Sequence, residues 1–193
     1  MHPAFSAHPV VLVDRDDVAV GTMEKMQAHR DGLLHRAFSV FVFRPDGRML
    51  LQQRAVAKYH SGGLWTNTCC SHPYPGEDVA DAAHRRLREE MGFDCELHHA
   101  FSFIYRAELD GGLSEHELDH VFVGRSEDVP EPDPEEVESW REVRLDDLDR
   151  ELATDPERFT VWFRIALPRL LAADPTGLPH GRPHSLSQSP VEA

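Results

Sequence analysis

The chain has 193 residues, enough for one compact domain with a sizeable core and too few for a large second one. Acidic residues outnumber basic ones 34 to 20, a formal net charge of −14, which disfavours nucleic acid and anionic membrane surfaces as partners. No signal-like N-terminus or bilayer-length apolar run is present, and three cysteines are too few for a disulfide framework; the expectation is a soluble, reduced, cytoplasmic protein.

Residues 1–9 read as a flexible N-terminus ahead of a domain spanning 10–172. Val10 to Val13 predicts a short strand, Asp14 to Asp17 a turn, and Val18 the start of a second β-rich piece. Arg36 to Arg44 is a strong strand; Pro45-Asp46-Gly47 has the residue types of a hairpin turn, and Met49 to Gln53 supplies the returning strand. Ala55 to Leu64, with its glycine pair, predicts a loop. Asp78 to Met91 predicts a helix, because Val79, Ala82, Ala83 and Leu87 recur at helical spacing and Gly92 is a natural stop. A β-rich stretch from Phe101 to Leu109, a turn at Asp110 to Gly112, and strands at Glu115 to Gly124 and Val137 to Val143 follow. Phe159 to Leu171 predicts an amphipathic helix that Pro168 is expected to kink or end, and 173–193 reads as a disordered Pro-rich tail. Strands interleaved with two or three helices predict an α/β sandwich, and the hairpin turns predict a mixed sheet.

Three constellations could carry chemistry. Cys70 and His72 fall two residues apart, on one face if the piece is extended, while adjacent Cys69 points the other way. Glu115 and Glu117 likewise share one face of their strand, where two close carboxylates either meet water or hold a cation between them. His29 and His35 flank the Arg30-Asp31-Gly32 turn; with His72, Glu115 and Glu117 they would form a mixed nitrogen and oxygen set suited to Mg²⁺, Mn²⁺ or Zn²⁺.

The predicted helix resembles the signature of the Nudix family through Glu77, Arg85, Leu87, Glu89, Glu90, Gly92 and Phe93. Two positions depart from it: Ser71 replaces a Gly, and Arg86 replaces a Glu. A guanidinium in place of a carboxylate weakens the metal cluster of a hydrolase helix and suits a direct grip on phosphate. Lys25, His29, His35, Arg54, Lys58, Trp65-Thr66-Asn67, Cys70-x-His72-Pro73, this altered helix, Tyr105-Arg106-Ala107, Glu115-x-Glu117 and Trp162 occur together in order. Over roughly Val10 to Leu171 this set resembles the type 1 isopentenyl-diphosphate isomerase family.

That resemblance implies a Nudix-like α/β/α sandwich with a mixed sheet between helices. It implies proton addition and removal by Cys70 and Glu117 on opposite faces of a five-carbon alkene, assisted by Tyr105, with the Trp162 indole facing a tertiary carbocation. A divalent metal is implied on His29, His35, His72, Glu115 and Glu117, and a diphosphate-bound Mg²⁺ near Glu90. Lys25, Arg54, Lys58 and Arg86 are implied to bind the small-molecule isoprenoid diphosphate, in a monomer or weak homodimer. Two rival readings are a Nudix hydrolase of a nucleoside diphosphate derivative, which would not need Cys70, and a non-catalytic zinc-binding or interaction domain, which leaves Tyr105, Trp162 and the basic set unexplained.

Overall fold

The computed structural model describes residues 9–173. β1 (Pro9–Val13) and β2 (Ala19–Glu24) make an antiparallel hairpin, and β1 also pairs with β3 (His35–Phe43) through Leu12 and His35. β3 is the axis of the molecule. It runs antiparallel to β4 (Met49–Arg54) and β6 (Cys69–Ser71), and parallel to β8 (Ser114–Arg125) over its whole length. β5 (Trp65–Thr66) and β9 (Val137–Val143) extend the sheet beside β4, and β7 (Leu97–Glu108) lies antiparallel on β8. The sheet is therefore mixed, as the turn residues predict.

Alternation along β3 sorts its side chains into two cores. Phe38, Val40 and Val42 face Ala82, Ala83, Leu87 and Met91 of α2 (Val79–Met91). Phe41 and Phe43 face the opposite layer, with Leu148 of α3 (Leu145–Thr154) and Phe163, Ala166 and Leu170 of α4 (Val161–Ala173). Each fully buried aliphatic or aromatic side chain of this size contributes roughly 1.5–3 kcal/mol of burial free energy. Helices cover both faces of a mixed sheet, the expected α/β/α layering.

Asp78 caps α2 by accepting from the Ala80 and Asp81 amides, and Gly92 ends it at φ +75. A Cβ at Gly92 would lie 2.3 Å from the Glu131 carbonyl oxygen, so both backbone conformation and space demand glycine there. α4 runs through Pro168 instead of ending at it. The carbonyl deprived of its partner belongs to exposed Arg164, where water can satisfy it. Two helices were not legible: α3, and the short α1 (Lys25–Asp31), of which only the closing turn was expected.

β1 opens at Pro9 and α4 closes at Ala173. The expected flexible start and Pro-rich tail otherwise lie outside the described residues. Among the described residues no helix is long and apolar enough to cross a membrane.

Candidate active site

The register about β3 assembles the site. Cys70 pairs with Ser39 on one side of β3, and Glu117 pairs with His35 on the other. His35 and Ser39 are four residues apart on one strand, so these four side chains share a sheet face. Tyr105 joins them from β7, directly opposite Glu117. Cys69, one residue off, is sealed in the α2 core instead.

One pocket on this face is lined by Cys70, His72, Tyr105, Glu115, Glu117 and Trp162, together with Lys25, Arg54, Lys58, Arg86 and Glu90. Every residue expected to be catalytic or to hold the diphosphate thus borders the same cavity. His29 and His35 stand behind its wall, fully buried.

α1 positions His29. Glu24 caps the helix through the Met26 and Gln27 amides, and Gly32 closes it in the left-handed conformation. His29 Nδ1 lies 2.7 Å from the Lys25 carbonyl oxygen, and His35 Nδ1 lies 2.8 Å from that of Leu33. Both Nδ1 atoms must donate to these carbonyls, which in the neutral imidazole leaves each Nε2 as a lone pair aimed inward. Burial pulls the His29 imidazole down, but the Glu115 carboxylate outweighs it and raises it. His29 Nε2 stands 3.1 Å from Glu115 Oε2, and His35 Nε2 stands 3.5 Å from Glu117 Oε1. His29 Nε2, His35 Nε2 and Glu115 Oε2 are buried without a hydrogen-bond partner. Buried lone pairs converging in this way are costly unless a cation meets them. His29, His35, His72 and Glu117 can each turn one ligand atom within 4.8 Å of the others, and so can His29, His60 and Glu115. The donor set fits a divalent ion, with imidazoles oriented by backbone carbonyls.

Glu117 is the most heavily engaged carboxylate. Tyr105 donates its hydroxyl to Oε2 at 2.6 Å, and His72 Nε2 lies 2.9 Å from Oε1. Burial pushes the Glu117 carboxyl up, but His35 and His72 outweigh it and hold it well below the usual range. Burial and the neighbouring Glu117 charge raise Glu115. Burial, and then Lys25, pull His72 down to about 3, so its imidazole is neutral and ligand-ready. Burial also pushes the Cys70 thiol up to about 12, so the group is protonated at neutral pH.

Trp162 reaches the pocket from the start of α4, which the backbone bond from Thr160 to the Trp65 carbonyl ties to β5. Its ring lies 5.2 Å from the Arg54 guanidinium carbon.

Among the cations of the pocket, Arg86 donates to Glu90 Oε1 at 2.5 Å and sits 3.4 Å from Glu136 Oε1; Lys58 also pairs with Glu136. Glu90 accepts from Gln52 at 3.0 Å and belongs to neither of the two ligand groups, so it stands apart from the histidine cluster. Glu77, although it matches the signature, is a structural brace: its two oxygens take Arg85 at 2.7 and 2.8 Å and the Tyr74 amide at 2.8 Å. Sequence reasoning missed His60, Tyr59, Ser39 and Glu136, all of which line the pocket. His60 and Tyr59 directly follow Lys58, and that adjacency was the available signal.

The NUDIX domain profile matches residues 33–163. The chain is 52% identical over 161 residues to a Pectobacterium atrosepticum protein named isopentenyl-diphosphate Delta-isomerase, covering 83% of this chain and 90% of that one. It is 53% identical over 163 residues to isopentenyl-diphosphate Delta-isomerase 2 of Aromatoleum aromaticum, covering 84% and 86%. Among solved structures, DR0079 of Deinococcus radiodurans matches with TM-score 0.65 at 18% identity over 76% of this chain and 90% of that one, a likeness of fold alone.

Proposed function

The chain belongs to the isopentenyl-diphosphate Delta-isomerase family within the NUDIX fold, and from that premise we propose that it interconverts isopentenyl and dimethylallyl diphosphate through a tertiary carbocation. The observation that carries the mechanism is the thiol of Cys70 and the carboxyl of Glu117 lining one pocket from strands on either side of β3. One of the pair delivers a proton to the alkene and the other removes one from the opposite face; the reverse reaction exchanges their roles.

An unactivated alkene is a very weak base, so the positive charge formed on protonation must be stabilised where it develops. The indole of Trp162 supplies a π face, a contact worth about 2 kcal/mol when desolvated. Tyr105 holds Glu117 in one orientation and donates to the oxygen that His72 does not touch. Lys25, Arg54, Lys58 and Arg86 concentrate positive charge for the diphosphate, offsetting the acidic chain as a whole.

His29, His35, His72 and Glu117, with Glu115 beside them on His29, would hold a divalent ion, Mn²⁺, Mg²⁺ or Zn²⁺, which when bound would alter the proton affinity of Glu117. Glu90 lies beside the expected diphosphate position, where a second Mg²⁺ would accompany the substrate. The fold is shared with hydrolases, but Arg86 stands where the hydrolase signature has a carboxylate and pairs with Glu90, so the helix carries less negative charge to gather a hydrolytic metal cluster.

Incubation with isopentenyl diphosphate and Mg²⁺ in D₂O tests the proposal. The expected product is deuterated dimethylallyl diphosphate by NMR; inorganic phosphate as the main product would favour hydrolysis.

A further inference from the structure

His60 lies in the loop from Ala55 to Leu64 and is buried in the pocket wall, its side chain 5% exposed. The loop is wound tightly enough to drive it inward. Ser61 is left-handed at φ 52, and a Cβ on Gly62 would lie 2.4 Å from the Val56 carbonyl oxygen. His60 Nδ1 lies 3.2 Å from Ser61 Oγ, and Nε2 lies 3.4 Å from Glu115 Oε1. The other oxygen of that carboxylate, Oε2, faces His29. On its far side the His60 ring meets the Trp162 indole edge-on, with centroids 5.6 Å apart at 86°.

His60 therefore touches both a candidate metal ligand and the candidate cation-facing indole. Its ligand atom groups with His29 and Glu115 and not with His35, His72 and Glu117, so it stands to one side of the main cluster. We infer that His60 is a positioning residue: its Nε2–H turns Glu115 Oε1 outward, aims Oε2 at the metal-binding imidazoles, and its ring braces Trp162. The Ser61 hydroxyl donates to Nδ1, which fixes the tautomer this requires. At 3.4 Å the contact is a close polar approach and not a formed hydrogen bond, so it orients the carboxylate electrostatically without clamping it. Groups that orient a metal ligand from behind typically change metal affinity 10- to 100-fold. This inference rests on the His and Glu cluster being a divalent-ion site.

Co²⁺ alone serves as the probe, with purified full-length protein, chelator competition for affinity and the visible spectrum for the ligand set. His60→Phe keeps a ring of similar shape and removes the donor, whereas His60→Gln keeps a donor at comparable reach. The expected result is a Co²⁺ affinity about 10-fold or more lower in the Phe variant, near-parental affinity in the Gln variant, and an unchanged spectrum in both. Parental affinity in His60→Phe would overturn the inference. A changed spectrum with loss in both variants would also overturn it, by making His60 a ligand. If His60→Phe does not fold, His60→Asn, whose shorter amide cannot reach Glu115, makes the same comparison. A parent protein that takes up no Co²⁺ would sink the underlying metal reading together with this inference, a result distinct from failure in the variants alone.

Discussion

Cys70 and Glu117 stand on β6 and β8, the strands that flank β3, and both side chains border one pocket. The neighbouring thiol of Cys69 is buried on the opposite face among Ala82, Leu87 and Met91. The two cysteines should therefore separate cleanly on substitution. Cys70→Ala is expected to lower kcat at least about 100-fold with little change in melting temperature. Cys69→Ala should keep turnover and lose about 1 kcal/mol of stability through the small cavity it leaves. Steady-state assays beside urea unfolding check both; full activity in Cys70→Ala would end the assignment of that thiol.

Tyr105 makes a single short hydrogen bond to Glu117. In Tyr105→Phe that bond is lost while the ring stays packed, so kcat should fall about 10-fold, equivalent to ~1.4 kcal/mol. KM should move much less, because the Tyr105 hydroxyl bonds Glu117 and not the cations expected to take the diphosphate. A KM effect larger than the kcat effect would place Tyr105 in substrate binding instead.

Chelation should both abolish turnover and soften the fold. His29 Nε2, His35 Nε2 and Glu115 Oε2 are buried and unpartnered, so an ion that satisfies them stabilises the native state. At a hundredfold excess over Kd the gain is about 2.7 kcal/mol. For a chain of this size that corresponds to roughly 5–10 °C in Tm. Calorimetry of metal-loaded and chelator-treated protein gives the difference directly, and equal melting temperatures would contradict the cluster as an ion site.

The buried thiols predict an alkaline weakness. Burial raises all three thiols in the native state: fully buried Cys69 well above its usual value, and partly buried Cys70 and Cys95 to about 12 and about 11. An unfolded thiol titrates near ~8.5. Below that value folded and unfolded chains are both protonated, and the thiols make stability no different from one pH to the next. Above it the unfolded chain releases protons that the native chain keeps, so stability falls as pH rises from about 8.5 toward 12. Urea midpoints between pH 7.5 and 10 should decline, and less steeply in Cys70→Ala than in the parent.

Much of this site was legible because a strand's period of two carries its information in adjacent letters. Cys70 with His72, and Glu115 with Glu117, needed only an extended backbone to share a face; β8 provides it for the two carboxylates, and β6 carries Cys70 but ends at Ser71, one residue short of His72. Tyr105 was legible through family likeness, and the register that sets it opposite Glu117 gives the physical reason. His60 and Tyr59 escaped because a wound loop has no period to read. Glu136 escaped among the other acids of an acidic, Pro-containing stretch, although it holds both Lys58 and Arg86. α1 escaped because seven residues are too few to show a pattern; its start is marked only by the Glu24 cap.

The opposed directions of Cys69 and Cys70 also decide how this protein ages under oxidants. A sulfenic acid formed on Cys70 has no resolving thiol within reach, because its sequence neighbour lies beneath α2. Where other proteins capture such damage as an internal disulfide between neighbouring thiols, Cys69 offers Cys70 no such partner. The doubled cysteine looks like a spare, yet the pleat of one short strand leaves the pocket with a single sulfur to lose.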